Sequence, residues 1–225
     1  MAISVIGKAS ASGSGSALAV THGLTILSGD VVVAFLSEDG AGVTFTDNNG
    51  ATPCTEAYTA STSDTSTASI WKRVAGASEP SAYAFTGSVS AGWSIEVRVF
   101  RGVDATVWDV APSASTDDTG GSTTATAPSI DIVTAGALAI VMFEADSSSL
   151  TFSSVTNSFA DLYGVAAGRV QATAIKEGLS AGALGSTAAT LSASDTWIAI
   201  HMALKPAAGA AGLLIPIAYH YRAQQ

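Results

Sequence analysis

The densest potential chemistry in this 225-residue chain lies in its carboxylates, which cluster at Glu38/Asp39, Asp117/Asp118 and Glu144/Asp146. Glycoside hydrolysis needs two carboxyls facing each other across a cleft. Calcium needs several hard oxygens converging on one point. The first and third clusters stand at matching places, each just after an apolar run, Asp30–Leu36 and Ala137–Phe143. That placement reads as two equivalent solvated loops. No EF-hand spacing is present, so no cofactor is expected, and calcium stays as the one ion these loops could meet. The three histidines, His22, His201 and His220, lack metal-ligand spacing to another His, Cys or carboxylate. His201 lies in a strand-like run and reads as structural. No nucleophile elbow, zinc-binding His-Glu-x-x-His or phosphate-cradling glycine motif occurs; Gly13-Ser14-Gly15-Ser16 reads as a flexible loop. The single cysteine, Cys54, excludes an internal disulfide and reads as an inert thiol. The expectation is a protein that is not an enzyme.

Aromatic rings offer a second kind of chemistry. Trp93 shares a strand face with Ile95, Val97 and Val99, which suits a core. Trp71 alternates with Ser69 and Arg73, which suits an outward ring able to contact a glycan or a partner. Ser94, Glu96 and Arg98 lie opposite Trp93, so Trp93–Phe100 is expected as a half-buried strand.

Composition narrows the classes. Hydrophobic residues make up 48% and charged residues 12%, with a net charge of −9. The largest basic grouping is Lys72-Arg73, so nucleic-acid binding by phosphate neutralisation is not expected. The apolar runs Gly136–Phe143 and Leu213–Ala218 are too short to span a bilayer. The start, MAISVIGKASASGSGS, lacks a basic segment followed by an apolar one, so synthesis in the cytoplasm without a secretory signal is expected.

The elements that must position these groups are strands. Short apolar or β-branched runs bounded by Gly, Ser, Asn and Pro occur at 4–8, 30–36, 43–46, 68–74, 82–86, 93–100, 129–133, 137–143, 150–152, 165–176 and 197–204. No sustained helical period is present. Asp47-Asn48-Asn49-Gly50 reads as a β-turn, since Asn-Gly tolerates the positive φ that hairpin turns use. The halves repeat: Gly29–Phe35 matches Gly136–Met142, Thr44-Phe45 matches Thr151-Phe152, Ile70-Trp71-Lys72 matches Ala174-Ile175-Lys176, and Trp93 matches Trp197. Ala9–Ser16 and Ala111–Thr126 read as turn-rich openings of the two copies. Ile198, Ile200, Met202 and Leu204 form an apolar face that leaves Trp197 beside His201, which implies either a one-residue register shift or a match that is off by one. The expected fold is an all-β, antiparallel two-sheet β-sandwich, jelly-roll-like, built by internal duplication. Its boundaries are 1–207 for the body, with halves of about 1–104 and 105–207, and 208–225 for a spacer and extended C-terminal arm.

The stretch Arg73-Val74-Ala75-Gly76-Ala77-Ser78-Glu79-Pro80, with Trp93 and Phe100-Arg101-Gly102-Val103-Asp104, carries a resemblance. So do Ala127-Pro128-Ser129, Gly136-Ala137-Leu138 and Ala203-Leu204-Lys205-Pro206. Over about residues 20–207 the chain resembles duplicated β-sandwich structural proteins of tailed phages and prophages. The resemblance implies a virion component of decoration, head-fibre or tail-associated type, assembled in the host cytoplasm, with capsid or tail proteins and its own copies as partners. It carries over no catalytic residue. A carbohydrate- or receptor-binding, lectin-like module recognising a surface glycan is the alternative.

The chain beyond residue 207 lies outside that resemblance. Leu213, Ile215, Ile217, Tyr219 and Tyr221 alternate with Leu214, Pro216, Ala218, His220 and Arg222. That period is a strand's, and Pro216 restricts it to an edge or to lying across a surface. Burying five large side chains contributes about 1.5–3 kcal/mol each. Ordering ten backbone residues costs about 1–2 kcal/mol each. The two nearly cancel, so this arm needs a preformed groove, and Leu213–Arg222 is expected to be the partner-binding element.

Overall fold

The computed structural model describes residues 1–62, 65–165 and 167–209. The arm Leu213–Arg222, with His220, therefore lies outside the described residues. Fourteen strands and no helix occur among those described. The chain is an all-β sandwich of two large antiparallel sheets. The first contains β1 (Ser4–Thr21), β2 (Val31–Asp39), β3 (Phe45–Asp47), β4 (Thr55–Ser61), β5 (Ser66–Val74) and β6 (Ala82–Arg101). Its order is β1-β6-β2-β5-β4, with β3 also on β6. The second contains β7 (Val103–Ala127), β9 (Ala137–Ala145), β10 (Phe152–Ser153), β11 (Ala160–Val165), β12 (Val170–Leu179) and β14 (Thr187–Pro206). There β14 has β7, β9 and β10 as neighbours, and the path continues β9-β12-β11. A small ribbon pairs β8 (Ile130–Ile132) with β13 (Gly182–Leu184).

Strand for strand, the two sheets have the same order. Each is one continuous half of the chain, and the chain passes from one sheet to the other at Gly102, between β6 and β7. The halves thus meet face to face, one sheet each, without interleaving.

Alternation explains the packing. Along β2, Val31, Val33 and Phe35 enter a core shared with Leu138, Ile140 and Met142 of β9 and Ile198, Ile200, Met202 and Leu204 of β14. Val32, Ala34 and Leu36 enter a second core built from the first half alone. The odd-numbered residues of β9 do the same in a third core, within the second half. Strands buried on both faces read as unbroken apolar runs, as VVVAFL and ALAIVMF do. The outer cores close because β6 and β14 are long. Residues 93–100 of β6 pair with β2, while 82–86 pair with the end of β1 and carry Tyr83 and Phe85 over the outer face of the same sheet.

Several expectations are corrected. Ala9–Ser16 and Ala111–Thr126 are strand, not turns. Both belong to strands with a single large-sheet neighbour, where side chains have little to bury and small residues suffice; Gly13 lies under the Trp93 ring, where a Cβ would come within 2.8 Å. The turn expected at Asp47–Gly50 lies two residues later, at Asn49–Thr52, where Thr52 N donates to Asn49 O, and it joins no hairpin, since β3 pairs with β6 and β4 with β5. The strand at Trp93 is buried on both faces, with Ser94, Glu96 and Arg98 wholly inaccessible. Trp93 and Trp197 both face outer cores, so no register shift separates the copies at that point. Val33 pairs with Lys72 and Ile140 with Ile175, which aligns Lys72 with Ile175, one residue from the sequence match.

Candidate functional site

Two arrangements bring chemistry-bearing residues together. One is a polar layer inside the sandwich; the other is the end of the sandwich where the described chain stops.

The polar layer occupies the part of the inter-sheet interface that the apolar core leaves unfilled. Arg98, on β6 of the first half, donates to Glu96 Oε1 at 2.6 Å, to Thr173 Oγ1 at 2.8 Å and to Asp161 Oδ2 at 2.8 Å. Thr173 and Asp161 belong to β12 and β11 of the other half. Arg169, just before β12, does the reverse. It holds Glu144 Oε1 at 2.6 Å and Asp146 within its own half, and reaches Ser66 and, at 3.4 Å, Asp39 of the first half. Ser37 Oγ donates to Gln171 Oε1 at 2.9 Å, and Ser94 Oγ donates to the Arg169 carbonyl at 2.5 Å. Gly168, at φ +82°, permits this approach; a Cβ there would lie 2.3 Å from the Trp93 carbonyl.

The expected solvated loops at the first and third acid clusters are therefore corrected. Glu38 and Glu144 are inaccessible, and the partly exposed Asp39 and Asp146 converge on one guanidinium. The two glutamates differ in facing. Glu144 points into the inter-sheet layer, where burial pushes its carboxyl up to about 7 against the pull of Arg169. Glu38 points the other way, toward Gly87, where any Cβ would collide with its carboxyl. Neither of its oxygens has a hydrogen-bond partner, and burial, then the Asp39 charge, pushes it up to about 7. Asp117 accepts from the Thr119 backbone and hydroxyl at the surface. This network neutralises charge and locks the halves together. Among the described residues no group of three or more His, Cys, Asp or Glu is placed to hold a metal ion.

Trp71 is buried, not outward, which corrects the glycan-contact reading. It packs in the first outer core against Phe85, ring centroids 5.3 Å apart, and its Nε1 donates to Ser69 Oγ at 2.9 Å. Of the polar neighbours that suggested solvent, Ser69 is its hydrogen-bond partner, while Arg73 pairs with Glu79. His201 is buried, with Nδ1 2.7 Å from the Pro128 carbonyl and its ring against Phe159. His22 stacks on Tyr83 at 5.2 Å beside a surface groove lined by Leu24, Ile26 and Glu79. Burial lowers the pKa of both histidines. Cys54 is buried, and its thiol is pushed up to about 12 by burial first.

The second arrangement was not legible as a site in the sequence. β1 begins, β6 ends, β7 begins and β14 ends at one pole of the sandwich. Ala207 N donates to the Gly102 carbonyl at 2.8 Å, and the Met1 nitrogen donates to the Ala207 carbonyl at 2.9 Å. The turn before β2 is fixed there by Asp30, which takes two 2.8 Å bonds from Arg101 and one from Leu27 N. Around this pole stand Leu27, Val74 and Val133, exposed by 49%, 42% and 71%. Gly29 N donates to Ala75 O, which sets the Leu27 turn beside Val74. Val74 also lines a cleft of about 210 Å³ with Thr55, Lys72 and Arg73 of the first sheet and Ala105 and Val107 of β7. Val107 has φ +68°, a left-handed conformation that costs a β-branched residue about 1–3 kcal/mol. The chain matches no family model, no curated protein and no solved structure.

Proposed function

We propose that this protein is a non-enzymatic structural component of a phage-like virion, of decoration, head-fibre or tail-associated type, attached through the arm Leu213–Arg222. Its partners are capsid or tail proteins and copies of itself. The observation that carries the reading is the pinned exit: Ala207 is held by Gly102 and Met1 at one pole of a body locked by buried ion pairs. An apolar segment of strand period begins six residues later. A rigid body with an alternating segment leaving from a fixed point is suited to strand addition, in which backbone bonds supply affinity and alternate side chains supply specificity. The resemblance of residues 20–207 to duplicated virion sandwiches agrees with it.

The test compares the solution mass of the full chain with that of a chain ending at Ala207, by light scattering after size exclusion. A defined oligomer that becomes a folded monomer on truncation supports attachment by the arm. Identical monomers in both cases exclude self-assembly through the arm and leave attachment to a different protein as the surviving form of the proposal.

A further inference from the structure

We propose that the outer cover of the first half is a proton-operated lid, shut while the Glu38 carboxyl is protonated and released when it ionises. The device does not depend on the arm or on what the arm meets.

Each large sheet carries a small cover over its outer face, made from the ends of its own long strands. In the first half, residues 17–21 of β1 pair with 82–86 of β6, and β3 pairs with 85–87. In the second half, 124–127 of β7 pair with 187–190 of β14, and β10 pairs with 190–191. Two pairs of aromatic residues align the covers. Trp93 stands opposite Glu38, and Trp197 opposite Ala145. Phe45 stands opposite Gly87, and Phe152 opposite Leu191. The first half thus has Glu38 and Gly87 where the second has Ala145 and Leu191. Those two belong to the second outer core and make an apolar seal. In the first half the seal is a carboxyl: a Cβ on Gly87 would lie 1.8 Å from Glu38 Oε2, so the carboxyl fills the space that a larger side chain would take.

A carboxyl in this place is accommodated in one protonation state. Both its oxygens are inaccessible and without a hydrogen-bond partner, and a buried charge without a partner costs far more than a buried neutral acid. The elements packed around it bring no compensating charge. β5 brings Thr67, and β6 brings Trp93 and Gly87. β3 brings Phe45 and Asp47, whose carboxylate is taken by the Asn49 and Cys54 amides. Asp39, beside it on β2, carries the same sign. Burial first, and then Asp39, pushes Glu38 up from 4.5 to about 7. The closed cover therefore favours the protonated form; that contribution is complete below about 4.5 and is lost as pH rises through about 7.

The segment over Glu38 is lightly held. β3 is three residues long, and the chain reaches it through Gly40 and Gly42, at φ +129° and +65°. Val43 N donates to Thr67 Oγ1 at 3.0 Å, and Ser88 N donates to the Thr44 carbonyl at 2.9 Å. Short elements with few bonds open at lower free energy than the body that carries them. Ionisation of Glu38 lifts β3 with Gly87-Ser88 and bares Phe45 and Trp93, while the sandwich beneath stays folded.

The test is amide hydrogen exchange of the full chain at pH 6 and pH 8, read by mass spectrometry, with each rate divided by that of the unstructured peptide at the same pH. Peptides covering 43–47 and 85–88 report the lid; those covering 151–153 and 190–192 report the second cover as an internal control. The expected result is an about tenfold rise in the open fraction of the first cover between pH 6 and pH 8, with the second cover unchanged. Glu38→Gln, which cannot ionise, abolishes the rise. Glu38→Ala combined with Gly87→Leu transplants the apolar seal of the second half and abolishes it too; a thermal melt shows that each variant is folded, and the double variant decides if Glu38→Gln is not. Two covers that respond alike in the parent, or a rise that survives in a folded variant without Glu38, overturn the lid.

Discussion

β6 and β14 are the same strand in two halves, with the same neighbours and the same two buried faces, yet their inner faces carry opposite chemistry. In β6 that face is Ser94, Glu96, Arg98 and Phe100; in β14 it is Ile198, Ile200, Met202 and Leu204. Both solutions fill the inter-sheet layer without solvent. The apolar one is non-directional and tolerates sliding, whereas the ionic one is satisfied in one register only, because Arg98 must meet Thr173 and Asp161 of the other sheet. The difference suggests a division of labour, with β14 supplying adhesion and β6 supplying register. Buried polar groups are costly unless fully paired, so this specificity is obtained at the expense of stability.

The comparison can be broken most forcefully at Arg98. Arg98→Met leaves Glu96 buried without its cation and is expected to lower unfolding free energy by about 3–5 kcal/mol in urea denaturation. The double variant Glu96→Ile with Arg98→Met copies the β14 chemistry and should recover most of that loss. A neutral single variant would show that the pair contributes nothing to β6. On the other side, Ile200→Ala opens a cavity in the apolar layer and should cost about 2–4 kcal/mol, with no dependence on salt.

A smaller effect separates the halves by pH. Glu38 has no counterpart acid in β9, where Ala145 occupies the aligned place, and its carboxyl is held up at about 7 against an ordinary 4.5. The folded state thus favours the protonated form. Its contribution is complete below about 4.5 and is lost as pH rises through about 7. Glu38→Gln should flatten the fall in stability across that window and leave the protein about 1–2 kcal/mol more stable at pH 8 than the parent. A slope unchanged by the substitution would move the titration to Glu144. The smallest expected change is Trp71→Phe, which removes the bond to Ser69 and should cost about 1 kcal/mol with no change in assembly.

What was legible in the sequence follows from these same physics. Unbroken apolar runs announced β2 and β9, and the repeat matched them to each other, because both faces of these strands are apolar. The long strands β1 and β7 were hidden, since a strand rich in Gly, Ser and Thr gives no alternation to read. The charged face of β6 looked solvated for the usual reason that charges prefer water; only the partners on β11 and β12, some 60 to 75 residues away, reverse that preference. Trp71 misled in the same way through Ser69 and Arg73. The converging acids were misplaced because sequence spacing cannot show that Arg169 lies between Asp39 and Asp146. The pole where Ala207 is pinned had no sequence signature, being assembled from the ends of strands far apart in the chain.

The position of β14 also determines how the body bears load. Tension on residues beyond Ala207 enters at Pro206 and runs along a strand bonded to β7 on one side and β9 on the other. Those bonds lie across the direction of pull, so they resist together as a shear joint instead of opening one after another like a zipper. A pull on Ala207 along the strand is thereby shared between two ladders, one to β7 and one to β9.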